Sequence, residues 1–451
     1  MTAIWAKTAL LPDGWAKDVL VTVENARITA VTPGAAPQGE RRDILLPAPA
    51  NAHSHAFQRA MAGLTERRGP DPRDSFWTWR QLMFRFLDRL DPDRIEAIAA
   101  FVQMEMLEAG YGCNVEFHYL HHAPGGTPYA NLAETGARIA AAAETSGIGL
   151  TLLPVAYEYG GLDKRALGPG QVRFGNDLDR FTRLHEASGA ALKALPGDTR
   201  LGLAPHSLRA VDPDDLAALR ELACDNPFHM HLAEQVAEVT EVQAMLGARP
   251  VEYVLDKIGP DARCTFIHCT QMEPHETEGL ARSGAVAGLC PITESSLGDG
   301  IFDGVRWMQS GSALSIGSDS NIRIALAEEL RTLDYSQRLR DLSRAALATP
   351  QKSTGRMLFD AACHGGALSA GRDCGGIAPG HHADLLALDA DHPDLGDRQG
   401  DTLLDSWIFA GDDRMVTDVW SAGRHMVREG RHIRRDAITA AYRKAIRGLA
   451  S

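Results

Sequence analysis

Apolar residues in this chain fall into short runs separated by longer stretches of helical character. Strand-like runs lie at residues 43–49, 111–117, 148–155, 200–205, 227–232, 263–268, 285–290 and 313–318. Between them, residues 92–109, 129–146, 213–223, 236–246 and 276–282 carry helical periodicity. Eight strand–helix units in succession predict an α/β fold, a (β/α)8 TIM-type barrel. A doubly wound open sheet is the competing topology. It is weakened because no glycine-rich dinucleotide fingerprint follows any of these runs.

Both ends of the chain read differently. Residues 18–23 and 28–32 form two short strands around a turn, and residues 382–388, 415–420 and 425–428 repeat that character near the other end. Neither set alone has strands enough to bury two sheet faces, so the two are expected to pair into one small β-sandwich domain. The expected division is 1–46 and 373–451 for the two parts of that domain and 47–372 for the barrel. A terminal helix is expected over 437–449.

Composition narrows the class. The chain is 44% hydrophobic and 23% charged, ordinary for a soluble globular protein. No window approaches the roughly 18 consecutive apolar residues of a membrane span. The first residues lack a basic segment followed by an apolar core, so no secretory signal is expected. Seven cysteines, an odd count without Cys-x-x-Cys, predict reduced thiols in a cytoplasmic protein. A net charge of −13 argues against nucleic acid as a partner and requires a local basic group for any anionic substrate.

Candidate chemistry begins at Asn51-Ala52-His53-Ser54-His55, directly after the apolar run of residues 44–50. Two imidazoles two residues apart at a strand end project to the same side. Alone this is weak, since 17 histidines in 451 residues make a chance pair expected. Further strand ends carry His231 and Glu234 (fifth), His268 (sixth) and Asp319 (eighth), where barrels gather catalytic groups. Imidazoles with one carboxylate suit zinc, whose catalytic sites add a water. Glu234, three residues past His231, can lean over that water. Each residue singly is better read as a hydrogen-bonded core histidine or a helix-capping aspartate. Four strand ends together are not.

The chain resembles the amidohydrolase superfamily, in its mononuclear deaminase branch, over almost its whole length. Pro379-Gly380-His381-His382-Ala383-Asp384-Leu385-Leu386 is similar to that superfamily's closing motif. Residues 200–206 lack the lysine that bridges two metals in binuclear relatives, and nearby Lys193 belongs to the preceding helix, so one metal is expected. The resemblance implies His53, His55, His231 and Asp319 as ligands of one Zn2+, with Fe2+ the alternative ion. It implies Glu234 as proton shuttle and His268 as a polarising group, with Asp319 also orienting the nucleophile.

Within that branch the chain resembles the formimidoylglutamate deiminases. The resemblance rests on His55-Ala56-Phe57-Gln58-Arg59-Ala60-Met61, Glu116-Phe117-His118-Tyr119-Leu120-His121-His122, Ala204-Pro205-His206-Ser207-Leu208-Arg209 and Pro291-Ile292-Thr293-Glu294-Ser295-Ser296-Leu297-Gly298-Asp299-Gly300. It implies hydrolytic deamination of N-formimino-L-glutamate to N-formyl-L-glutamate and ammonia, a step of histidine breakdown. Gln58, Tyr119, His206 and Arg209 would then contact the substrate.

The residues support that substrate separately. Two carboxylates call for arginine, which offers a planar donor fork. Arg209 lies just past the fourth strand end, and Arg80, in Phe76-Trp77-Thr78-Trp79-Arg80, is a second candidate. Trp77 and Trp79 read as core or lid packing, and Glu294 and Asp299 as loop-capping groups. His118, His121 and His122 share one loop without a closed geometry and stay unassigned. A purine or pyrimidine deaminase would use nearly the same metal site but should offer aromatic or amide groups to a base. An inactive barrel serving as a binding scaffold would be expected to have lost ligands. The expected partner is a small dianionic molecule, with neither nucleic acid nor membrane. A homodimer is compatible with the chain, although nothing in the sequence dictates it.

Overall fold

The computed structural model describes residues 1–66 and 76–449, with only the backbone described for residues 76–78. Its centre is a parallel sheet in two arcs. The first arc contains Ala50–Ser54, Cys113–His118, Gly149–Ala156 and a broken fourth strand, Arg200–Leu201 with Ala204–Pro205. The second contains Phe228–Leu232, Cys264–His268, Val286–Leu289 and Leu314–Ile316. Parallel bridges Leu203↔Phe228 and Ser54↔Asp319 join the arcs at two seams, so the eight strands form a ring with helices outside. Apart from the half-buried Arg200–Leu201, every strand of the ring is buried along its length, as a sheet covered on both faces demands.

The apolar run at 43–49 is not the first barrel strand. Glu40–Pro47 pairs parallel with Thr2–Leu11 and antiparallel with Leu385–Leu388, so it belongs to the terminal sheet. Pro47 and Pro49 carry no N–H and cannot continue a ladder, and there the chain passes from one sheet to the other. The barrel begins at Ala50–Ser54. The helix expected at 129–146 starts only at Glu134, and the terminal helix is Arg435–Ala445. Tyr442 on that helix stacks on Phe101 at 4.0 Å, which fixes it against Pro92–Glu108. The fourth strand breaks at Gly202, where a Cβ would stand 2.7 Å from the Pro227 carbonyl oxygen.

The terminal strands form one eight-stranded mixed sheet ordered Arg431–His432, Arg424–Arg428, Val416–Ser421, Leu385–Leu388, Glu40–Pro47, Thr2–Leu11, Gly14–Glu24, Arg27–Thr32. Arg27 bridges His382, just before the fourth of these, so the sheet folds back on itself. The two layers that result enclose a small core of Ile4, Val19, Val21, Leu45, Leu385 and Trp420. No helix among the described residues is long and apolar enough to cross a membrane.

Buried charge fastens this sheet to the barrel. Arg372, at the end of Thr354–Ala370, reaches Asp384 at 2.8 Å and Asp198 at 2.9 Å, and Arg424 reaches Asp198 at 2.7 Å. Arg372, Asp198 and Asp384 are almost wholly buried, so removing the cation strands carboxylates in a low dielectric. Arg372→Met should lower stability by about 3–5 kcal/mol. The check is the denaturant midpoint of metal-saturated protein. An unchanged midpoint would show that the fold does not lean on these pairs.

Candidate active site and metal centre

His53 lies in the first barrel strand and His55 just past it, at the turn into the 3-10 segment Ala56–Met61. His53 Nε2 stands 3.2 Å from His55 Nε2 and 3.1 Å from His231 Nε2. Asp319 Oδ1 stands 3.4 Å from the His53 nitrogen and 3.2 Å from the His55 nitrogen. Four ligands at about 2.0–2.1 Å around a tetrahedral zinc would be roughly 3.3 Å apart. The four donor atoms match that spacing.

Their tautomers match as well. His55 Nδ1 is 2.9 Å from the Phe117 carbonyl oxygen, and His231 Nδ1 is 3.0 Å from that of His206. A carbonyl only accepts, so both Nδ1 atoms carry protons and both Nε2 atoms present lone pairs. Burial, then the neighbouring imidazoles, holds the pKa of His53 and His231 well below the ordinary histidine value. Neutral rings are what a cation needs. The donor set therefore fits a metal ion.

Close backbone approach makes the cluster. A Cβ on Gly317 would meet His53 N at 2.7 Å and His53 O at 2.8 Å, so only glycine lets the eighth strand lie against the first. Asp319 N then donates to His53 O and His55 N to Asp319 O, each at 2.9 Å. Ala233, His268 and Asp319 hold φ of 50°, 71° and 44°, in the left-handed region. Such strain costs about 1–3 kcal/mol each and gathers at functional sites.

Around the cluster stand the proton-handling candidates. His268 Nε2 lies 3.8 Å from Glu234 Oε1, and its Nδ1 lies 3.2 Å from Glu294 Oε1. Burial lowers the pKa of His268, but the carboxylates of Glu234, Glu294 and Asp319 outweigh it and push it up to about 10. Burial also raises Glu234. The turn carrying Glu234 is held by Glu238, whose carboxylate accepts from Ala233 N at 3.3 Å and Glu234 N at 3.0 Å.

A cleft of about 520 Å³ opens over these groups. All five residues expected to contact substrate, Gln58, Arg80, Tyr119, His206 and Arg209, line it. Gln58 Nε2 donates to Tyr119 OH at 2.9 Å, and Arg80 Nη2 donates to Tyr157 OH at 2.7 Å. Trp79 also lines the cleft, whereas the side chain of Trp77 lies outside the described residues. His118, His121 and His122 each hold an acceptor at 2.9 Å, Thr135 Oγ1 and the carbonyls of Val155 and Gly175, and form no second centre. His229 similarly binds the Ser369 carbonyl at 2.8 Å. Lys193 caps the helix Leu178–Leu192, as expected.

Three participants were given no chemical role in the sequence reading. Tyr157 follows the third strand and shares the cleft with Arg80. Glu116, pushed up to about 7 by burial, accepts from Ala56 N at 2.7 Å below His55. Glu294 does more than cap a loop: besides accepting from Cys290 N at 2.8 Å it binds His268. The strand-end rule, applied to the third and seventh strands, points to Tyr157 and Glu294. Asp299, pushed up to about 9 by burial and then by Glu234, bonds to Gln235 and Gln271.

A ring of parallel strands with a His/Asp cluster at its mouth defines a metal-dependent hydrolase, and the chain belongs to the amidohydrolase family, whose model matches residues 44–426. A second model, described as formimidoylglutamate deiminase HutF, N-terminal domain, matches residues 1–43. The chain is 47% identical over 437 residues to the formimidoylglutamate deiminase of Pseudomonas aeruginosa, covering 96% of each chain. It is 28% identical to a 5-methylthioadenosine/S-adenosylhomocysteine deaminase of Natronomonas pharaonis, covering 84% of this chain and 81% of the relative. A crystal structure of an amidohydrolase from Brucella melitensis superposes with a TM-score of 0.96 at 47% identity, covering both chains completely. A zinc-bound adenosine deaminase from Xanthomonas campestris, with a TM-score of 0.82 at 22% identity and covering 99% of this chain and 98% of its own, shares the fold.

Proposed function

We propose that this chain hydrolyses N-formimino-L-glutamate to N-formyl-L-glutamate and ammonia, with one zinc held by His53, His55, His231 and Asp319. Fe2+ is the alternative ion. The observation that carries the substrate is the cleft lining, where Arg80 and Arg209 bring two guanidinium groups to the same cavity as Glu234 and Asp319. Two carboxylates fit them, and a neutral purine does not use them. Gln58, Tyr119 and His206 hold the remainder of the molecule. Seven cysteines without a disulfide support a cytoplasmic setting, where the reaction serves histidine breakdown.

A bound zinc would supply Lewis acidity and lower the pKa of water at the site. Asp319 orients the attacking oxygen toward the formimino carbon. Glu234 takes a proton from the water and passes it to the imino nitrogen. His268 donates through Nε2 to the oxygen on which charge develops. The new C–O bond becomes a carbonyl as the C–N bond breaks, and both water protons leave on ammonia.

The deciding experiment is ammonia release by metal-replete protein from formiminoglutamate, set against guanine, adenosine and cytosine. Formiminoglutamate should be turned over with much the highest kcat/KM, and preference for a base would give the reading to the purine or pyrimidine alternative. Elemental analysis should find one metal per chain, reduced in His53→Ala and Asp319→Ala. Two tightly held metals would overturn the mononuclear assignment.

Glu234→Gln keeps the shape but cannot shuttle a proton. General acid–base groups contribute about 10²–10⁴ in rate. That variant should retain its metal while kcat falls through that range, and near-normal kcat would remove Glu234 from the proton path.

A charge-assisted hydrogen bond contributes roughly 1.5–3 kcal/mol. Arg209→Met should therefore lower kcat/KM on formiminoglutamate by about one to two decades. On a formimino compound without carboxylates the loss should be far smaller. Equal losses on both would assign Arg209 to the fold.

A further inference from the structure

His268 occupies an exacting position. It is buried, it and Cys269 both hold positive φ, and its ring must turn one nitrogen toward the cleft. Left alone, the ring can flip and turn either nitrogen toward the cleft. Here Nδ1 lies 3.2 Å from Glu294 Oε1, whereas the Glu234 carboxylate stands 3.8 Å from Nε2, beyond hydrogen-bond range. The Glu294 oxygen is itself fixed, because it also accepts from Cys290 N at 2.8 Å. An oxygen already receiving one N–H is an acceptor, so Nδ1 donates and Nε2 is the atom that faces the cleft.

The geometry points to Glu294 as a positioning residue: its carboxylate accepts from the Nδ1–H of His268 and so sets the ring orientation with which the Nε2–H of this imidazolium meets the reacting group. Glu294 comes from the short helix Pro291–Leu297 after the seventh strand and His268 from the end of the sixth, so the pair also ties these two neighbouring segments together. Glu294 stays off the substrate and acts through the imidazole. Carboxylate partners of this kind fix the orientation and basicity of a working histidine, and their loss typically costs about 10–100-fold. Cys290 lies close enough that His268, Cys290 and Glu294 could gather a second ion. Burial pushes the Cys290 thiol well up, which disfavours the thiolate such a site requires.

This inference rests on the deiminase reading, and two arms of the test separate them. In the first, a strongly downfield imidazole N–H proton signal should appear in the spectrum of the metal-replete protein. It should be lost in His268→Asn and in Glu294→Leu alike. Its persistence in Glu294→Leu, or its absence from the parent protein, overturns the pairing. A second metal ion at His268 would erase it in the parent protein too.

In the second arm, Glu294→Gln keeps the shape of the side chain. With formiminoglutamate it should lower kcat by about 10–100-fold, with KM and metal content little changed. In the His268→Asn background the same change should cost less than about threefold, because its target is gone. Equal losses in both backgrounds, or a loss confined to KM or metal content, would make Glu294 a structural group. If the parent protein releases no ammonia from formiminoglutamate, the deiminase reading fails, and the proton signal still decides the pairing.

Discussion

Three neutral imidazole nitrogens and a carboxylate oxygen, each within 3.4 Å of a neighbour, repel one another unless a cation stands among them. Holding them there is the constraint on which the rest of the barrel depends. The donors come from the first, fifth and eighth strands. These strands flank the two seams where the arcs of the sheet meet through single bridges rather than long ladders. The cluster therefore draws from both arcs, at the places where backbone pairing is thinnest. A cation held there would tie the two arcs together. Gly317 is the local requirement, since any side chain there would push the eighth strand off His53.

A second consequence follows for the backbone beyond the strands. Ala233, His268 and Asp319 sit in left-handed conformations that ordinary residues avoid. Each is held from outside. Glu238 receives the N–H groups of Ala233 and Glu234, Glu294 receives His268, and paired hydrogen bonds to the first strand hold Asp319. Buried carboxylates are costly as ions. Here they satisfy backbone donors and an imidazolium, and the strain they oppose lies at the strand ends that form the mouth.

Much of this was legible in the sequence because strand-end chemistry is written in residue types that have few other reasons to recur. His53, His55, His231, His268 and Asp319 end apolar runs, and the alternation of runs and helices gave the barrel. What escaped depended on partners distant in sequence. The run at 43–49 is as apolar as a barrel strand, and only its pairing with Thr2–Leu11 and Leu385–Leu388 assigns it to the other sheet. The strand Thr2–Leu11 itself mixes Lys7 with apolar residues and is recognisable by its neighbours rather than its pattern. Glu294 reads as a loop-capping group, and its bond from Cys290 N is of that kind. Its second role appears only when the sixth strand delivers His268 to it.

The two arcs also divide the labour of the proposed reaction. Gln58, Arg80, Tyr119, Tyr157, His206 and Arg209 follow the first four strands, and Glu234, His268, Glu294 and Asp319 follow the last four. Both arginines follow the first arc, and the carboxylates of Glu234, Glu294 and Asp319 gather around His268 on the second. A dianion entering a protein of net charge −13 meets a field that is far from uniform. On the proposed reading its carboxylates pair with Arg80 and Arg209. The formimino end, which carries no negative charge, is left to face the His/Asp cluster. On that reading the two arginines set the orientation of the substrate. A neutral base has no group for them to hold. Selectivity for a linear molecule with two carboxylates then rests on Arg80 and Arg209 rather than on the His/Asp cluster, which a base deaminase would share.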